Sequence, residues 1–173
     1  MADPTQERWL PVTGYEGYYE VSDHGNVRSL GRMVETHGGH YRWQHGRVLK
    51  PGSTAKGHMF VYLCRKSTNK KAYIHRLVLA AFVGPCPDGM ECCHWDDDPT
   101  NNHLSNLRWA TTSANRNDQV RNGLHYWARR THCSAGHEYV PENTYISKDG
   151  ARVCRACRRK SHREYERRRR LAR

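Results

Sequence analysis

The chain has 173 residues, 36% of them hydrophobic, with 2 Phe against 10 Tyr and 5 Trp, and a formal net charge of +12. That balance argues against one large core and for small modules, each with its own staple. The charge points to a polyanionic partner, and no apolar run is long enough to span or anchor in a membrane. Seven Cys behind a polar, non-secretory opening read as reduced thiols and metal ligands, not as a disulfide framework.

Residues 1–8 read as a frayed terminus. Tyr19 and Val21, then Val27 and Leu30, bracket Asp23-His24-Gly25-Asn26, a turn signal that predicts a short β-hairpin with little core. Residues 31–57 hold Gly, His, Arg and Lys with few aliphatics, so a solvated loop is expected, with Val48–Pro51 as an edge strand. His37, His40 and His45 lack a Cys or acidic companion and are not read as ligands. Arg28, Arg42, Arg47 and Lys56 are candidate phosphate contacts, which position a duplex without reading its sequence.

His58 to Cys64 sets Met59, Val61 and Leu63 against Phe60, Tyr62 and Cys64. Lys70 to Ile74 returns after Ser67-Thr68-Asn69, giving a second hairpin. Arg76 to Val83 has Leu77, Val78, Ala81 and Phe82 at helical spacing, and Pro85 and Pro87 end it. His75 is assigned a structural or phosphate-contacting role, and Arg76 is a further candidate phosphate contact. Cys64 and Cys86 read as small, partly buried residues.

The segment from Cys92 to Asn117 organises the rest. Met90 to Trp95 can form a strand. Asp96 to Asn102 cannot continue it, because Pro lacks a donor and Asp and Asn favour turns. Leu107 to Ala110 returns, and Thr111, Thr112 or Ser113 caps a helix to about Asn122, with Gly123 as the stop. His94, then Asn106, then Asn115 follow in order. A neutral imidazole takes a proton from water when its other nitrogen is held. The Asn106 carbonyl suits that holding, and the Asn115 amide oxygen suits Mg²⁺. A positioned base and one metal beside a phosphate suffice for phosphodiester hydrolysis.

The residues His94, Asn102, Asn106 to Trp109, Thr111 and Asn115, with Ile74 to Val78 upstream, resemble the phage-type HNH homing endonucleases built on the ββα-metal fold. Trp9 to Leu30 resembles the small N-terminal module often attached to them, which contributes to DNA contact. The resemblance implies His94 as general base, Asn106 as its orienting partner and Asn115 as a ligand of catalytic Mg²⁺ or Mn²⁺. Many relatives carry Asp immediately before the base as a second ligand. Here that position is Cys93, whose thiolate matches Mg²⁺ poorly. The second ligand stays open: Cys93, Asp96, Asp97 or Asp98, or Asn115 almost alone, or a softer metal.

Leu124 to Thr131 reads as a linker. Beyond it, Cys133, His137, Cys154 and Cys157 form two close pairs, the spacing of a closed tetrahedral Zn²⁺ site, with His132 as an alternative ligand. The insert, with Asn143, Tyr145, Ile146 and Asp149-Gly150, reads as a hairpin, and the metal would supply the folding energy. Residues 129–173 carry 14 Lys and Arg against 5 Asp and Glu. Ala156, Tyr165, Leu171 and Ala172 make no apolar stripe, so the tail is not expected to be a stable helix alone. Arg158, Arg159, Arg167, Arg168 and, in the helix before it, Arg116 are candidate DNA contacts.

The resulting expectation is an α+β, multi-module chain. Residues 1–57 form an N-terminal β module, 58–123 the HNH nuclease core, 124–132 a linker and 133–173 a zinc module with a basic tail. The function expected is a metal-dependent endonuclease acting on double-stranded DNA and leaving 5′-phosphate and 3′-hydroxyl ends. It would act as a monomer, with dimerisation as a route to double-strand cuts, in the cytoplasm of the host cell if phage-encoded. The alternatives are a DNA-binding protein with an inactive HNH site and an RNA-directed nuclease.

Overall fold

The structure, a computed structural model, describes residues 6–172. Residues 1–5 of the expected frayed terminus, and the final Arg of the basic tail, lie outside the described residues. Arg8 is not frayed: its backbone N–H and its Nε donate to Asp23 at 3.0 and 2.7 Å. The chain divides into two compact units, Met1–Asn122 and Gly123–Arg173.

The first unit opens with β1 (Trp9–Pro11), β2 (Tyr19–Ser22), β3 (Val27–Ser29), β4 (Arg32–Glu35), β5 (Tyr41–Gln44) and β6 (Arg47–Val48). An antiparallel sheet runs β1-β2-β3-β6, and β4 and β5 form a separate ribbon. This ribbon replaces the solvated loop expected over 31–57. Its register pairs Met33 with Trp43 and Glu35 with Tyr41, and Met33, Trp43 and Tyr41 are exposed. With no buried face it gives no apolar alternation, which is why the sequence conceals it.

Next come β7 (Gly52–Ser53), β8 (Met59–Arg65) and β9 (Thr68–Tyr73), in sheet order β7-β8-β9. The β8–β9 turn falls at Lys66-Ser67, both with positive φ (48° and 61°), one residue earlier than expected. A two-residue turn of that hand matches strand twist, so Thr68 and Asn69 join the strand. α1 (Ile74–Phe82) follows, then β10 (Met90–His94), a 3₁₀ turn at Leu104–Asn106, β11 (Leu107–Thr111) and α2 (Thr112–Arg121).

Val12, Tyr19, Val21 and Val27 from the N-terminal strands pack in one cluster with Val61, Leu63, Ile74, Val78, Leu79 and Leu107. The N-terminal hairpin therefore has a core, and shares it with the nuclease elements. The boundary expected at 57/58 lies inside this packed unit. Each such aliphatic side chain contributes roughly 1.5–3 kcal/mol on full burial. The Tyr19 hydroxyl fastens β2 to β8, accepting from the Cys64 N–H at 3.0 Å and donating to its carbonyl at 3.3 Å.

The second unit holds α3 (Tyr126–Arg129), a single turn within the expected linker, then a 3₁₀ turn at Pro141–Asn143, β12 (Thr144–Ile146), β13 (Arg152–Cys154) and α4 (Arg155–Leu171). Among its described residues only Cys133 and Cys154 are buried, so apolar packing holds little of it. The basic tail is one helix of 17 residues that follows β13. Arg, Lys and Glu favour helix intrinsically, and Asn143 Oδ1 accepts from the Ala156 N–H at 3.0 Å in its first turn. Among the described residues no helix is long and apolar enough to cross a membrane.

Candidate active site and candidate metal centre

β10 and β11 pair antiparallel, from Met90 with Thr111 to His94 with Leu107. Thr111 caps α2, its hydroxyl accepting from the Ala114 N–H at 3.2 Å, which substitutes for a missing intrahelical partner. Buried Asp118 of α2 accepts from Arg108 of β11 and from Arg121 at 2.7 Å. Arg121 and Asn122 both donate to the Trp95 carbonyl at 2.9 Å. The helix is thus fixed across the hairpin at both ends, giving the expected strand, loop, strand and helix.

His94 ends β10 and is buried. Its Nε2 lies 3.3 Å from Asn102 Oδ1. Asn102 Nδ2 donates to the Thr100 carbonyl at 3.1 Å, which fixes that amide with its oxygen toward the imidazole. An oxygen there accepts, so Nε2 carries the proton and Nδ1 keeps its lone pair. The rings of His75 and His58 stand behind, with centroids 5.3 and 6.0 Å from that of His94. Burial, then neighbouring His94, His58 and Arg76, pushes His75 down to about 3. Burial, then His94, Lys56 and Arg76, lowers His58 as well. His75 is only 5% exposed, which rules out a phosphate contact and leaves its structural role.

Among the described residues no hydrogen bond joins the Asn106 side chain to the His94 ring, contrary to the orienting role expected for it. Its Nδ2 donates to Asp96 Oδ1 and the Asn101 carbonyl, both at 2.9 Å, and its Oδ1 accepts from the Asp96 N–H at 3.2 Å. Asn106 therefore closes the loop, and Asn102 holds the imidazole. Asp96 is committed to the same loop, accepting also from the Asp98 N–H at 2.8 Å and Asn101 Nδ2 at 2.7 Å. Desolvation works the other way, but these hydrogen bonds hold the Asp96 carboxyl below its ordinary value.

Cys93 is 2% exposed, and burial, reinforced by Glu91, pushes its thiol up to about 11. A buried, protonated thiol is no ligand for a hard cation, so the structure argues against Cys93 in the metal site. Asn115 lies in α2 with its Nδ2 3.1 Å from Glu91 Oε1. Glu91 is a residue that the sequence reading passed over. The only signal for it is its place on the strand, two before Cys93 and so on the same face.

In the second unit the ligand atoms of Cys133, His137, Cys154 and Cys157 all lie within 4.8 Å of one another. Cys133 Sγ is 3.6 Å from Cys157 Sγ, and His137 Nδ1 is 3.5, 3.3 and 3.8 Å from the sulfurs of Cys133, Cys157 and Cys154. Metal bonds of about 2.3 Å to sulfur and 2.0–2.1 Å to nitrogen put tetrahedral ligands roughly 3.5–3.8 Å apart, so the four residues fit such an ion. His132 instead has its Nδ1 2.9 Å from the Thr131 hydroxyl and is not in the cluster.

Of the candidate phosphate contacts, Arg42, Arg47, Lys56, Arg76, Arg116, Arg159, Arg167 and Arg168 are exposed. Arg28 is committed: it pairs with Glu20 at 2.6 Å and lies 4.1 Å over the Trp9 ring. Arg158 is exposed but bonds the Tyr145 hydroxyl.

A strand ending in an oriented histidine, a returning strand and a capped helix bearing asparagine together define an HNH nuclease domain of ββα-metal type. Residues 72–117 match the HNH endonuclease family, and residues 7–64 match the NUMOD4 motif. DNA endonuclease I-HmuI of Bacillus phage SP01 is 30% identical over 115 residues, covering 66% of this chain and 59% of that protein. An uncharacterized HNH endonuclease of Acanthamoeba polyphaga mimivirus is 27% identical over 139 residues, covering 80% of this chain and 36% of that protein. A solved structure, described as DNA binding and cleavage by the HNH homing endonuclease I-HmuI, superposes with a TM-score of 0.55 at 26% identity. It covers 84% of this chain and 76% of that one. Residues 72–117 thus carry an HNH endonuclease domain, and the chain is similar to the phage-type HNH homing endonucleases. It spans 59% and 36% of the lengths of the two curated relatives.

Proposed function

We infer that this chain is a metal-dependent DNA endonuclease in which His94 is the general base. The carrying observation is the His94–Asn102 hydrogen bond, which leaves Nδ1 as the free basic nitrogen. Nδ1 takes the proton from a water that attacks phosphorus, and the products are 5′-phosphate and 3′-hydroxyl ends. The rings of His75 and His58 stand beside that of His94, and burial lowers the pKa of both. Asn115 is the ligand of Mg²⁺ or Mn²⁺ on α2, and the bound ion supplies positive charge at the scissile phosphate and the departing oxygen. Double-stranded DNA is the partner. The exposed arginines of the first unit and of α4 meet its phosphates, as expected of a chain with net charge +12. Zn²⁺ occupies the Cys133, His137, Cys154 and Cys157 cluster and holds β12, β13 and α4 together.

Supercoiled plasmid incubated in Mg²⁺, in Mn²⁺ and in EDTA, beside His94→Ala, tests this reading. Nicked or linear product that needs the metal and vanishes in the mutant supports it. A retained gel shift without product in any metal would leave a DNA-binding protein in its place.

A further inference from the structure

The nuclease reading leaves the second ligand of the catalytic cation unassigned, and the inference here rests on that reading. The side chains nearest in sequence to His94 are occupied. Cys93 is buried on β10, paired with Arg108 of β11. Asp96 accepts three hydrogen bonds within its loop, from the Asp98 N–H and from the side chains of Asn101 and Asn106. Asp97 accepts from Asn122 at 2.8 Å. Asp98 accepts from both the N–H and the hydroxyl of Thr100, at 2.9 and 2.7 Å.

Glu91 differs from all of these. It is half-buried on β10, and among the described residues its carboxylate has one hydrogen-bond partner, Asn115 Nδ2 at 3.1 Å. No other hydrogen bond among the described residues fixes the Asn115 amide. The nitrogen and oxygen of an asparagine amide exchange places by a half-turn of the terminal torsion. Turned over, Asn115 Oδ1 faces Glu91 Oε1 at about the same separation. Two adjacent oxygens on an octahedral Mg²⁺ with bonds of 2.0–2.1 Å stand about 2.9–3.0 Å apart. A carboxylate and an amide oxygen are also hard donors, and one or two protein ligands are what Mg²⁺ takes.

We propose that Glu91 and Asn115 together hold the divalent cation, Glu91 taking the place of the residue that precedes His94. Charge reaches the site from the strand rather than from the loop, and Cys93 is free to be an apolar contact beneath it. This explains how a buried cysteine is tolerated next to the base.

The test is Mn²⁺ titration followed by the EPR signal of the free ion, on the full chain loaded with Zn²⁺ and carrying His94→Ala, so that added plasmid stays intact. The same titration is run with Glu91→Gln or Cys93→Ala added. Gln accepts the same hydrogen bond from Asn115, so the fold is held, and circular dichroism checks it. One Mn²⁺ site is expected in the His94→Ala protein, unchanged with Cys93→Ala. With Glu91→Gln it weakens by more than the roughly 10–100-fold that loss of a mere orienting partner costs. Parental Mn²⁺ binding in the Glu91→Gln protein, with plasmid cutting by the wild type intact, overturns the ligand while sparing the nuclease. Loss of the site in the Cys93→Ala protein alone overturns it too. If the parent binds no Mn²⁺ and the wild type cuts in no metal, both readings fall.

Discussion

Gly25 stands directly against Asn102: a Cβ built at Gly25 would lie 2.8 Å from the Asn102 Cβ and 2.9 Å from its carbonyl oxygen. Gly25 sits in the β2–β3 turn with φ +83°, and Asn102 holds the His94 ring. The same turn receives the Leu104 N–H on the Asp23 carbonyl at 2.8 Å. The His24 and His103 rings lie 4.8 Å apart beside it. The N-terminal module is therefore part of the wall of the nuclease site, and orientation of the base depends on a turn some seventy residues upstream of it.

Gly25→Ala should for that reason damage both stability and turnover. The left-handed backbone and the close approach together cost about 1–3 kcal/mol. Urea unfolding gives the stability change, and plasmid nicking under conditions where the mutant is folded gives the rate. Wild-type turnover in the folded mutant would show that the turn is no support for Asn102.

Asn102 and Asn106 should separate cleanly. Asn102→Ala frees the His94 ring and should lose a share of the roughly 10²–10⁴-fold that a positioned base supplies, with DNA affinity retained. Asn106→Ala removes three loop hydrogen bonds, and should lower the unfolding midpoint more than it lowers the rate of the folded fraction. Single-turnover cleavage, gel shift and thermal melting on both variants measure this. The reverse pattern would return the orienting role to Asn106.

What the sequence made legible follows from periodicity and ligand chemistry. Val61 and Leu63 alternate, and Leu77, Val78, Ala81 and Phe82 repeat at helical spacing, so β8 and α1 were readable, and the run Thr111 to Ser113 announced a cap for α2 without deciding which residue makes it. The four-residue metal cluster was readable because thiolates and imidazole at short spacing have few other uses. The partner of His94 was not, because Asn102 and Asn106 are chemically identical. Only the path of the loop decides which of them reaches the ring. Glu91 was hidden for a related reason, since a strand glutamate carries no mark of facing a helix. The β4–β5 ribbon buries almost nothing, and pattern analysis detects elements through what they bury.

Stability should fall on acidification because of His75. Its folded pKa is about 3, against roughly 6.5 for the unfolded chain. Below that unfolded value the unfolded state binds a proton that the folded state does not. The contribution is therefore fully present above about pH 6.5 and is lost as pH falls toward 3, by roughly 1.4 kcal/mol per pH unit. His58 is shifted the same way and adds to it. Urea melts at stepped pH on wild type and His75→Phe check this. The mutant profile should be flatter, and parallel profiles would remove His75 as the source.

Chelation should unfold one unit and spare the other. Residues 123–172 bury only Cys133 and Cys154 among those described, so with the metal removed little opposes the conformational entropy of the chain. The aliphatic cluster of the first unit contains none of the four ligands. A strong chelator, or Cys133→Ser, should therefore reduce the helical circular dichroism of α4 and release one equivalent of zinc. DNA should bind more weakly and with a shallower salt dependence, because fewer phosphates are neutralised. The cooperative urea transition of the first unit should remain where it was. A helical signal and zinc content unchanged in Cys133→Ser would show that the four residues do not form the site, and a first unit that unfolds with the metal would show that the two units are not independent.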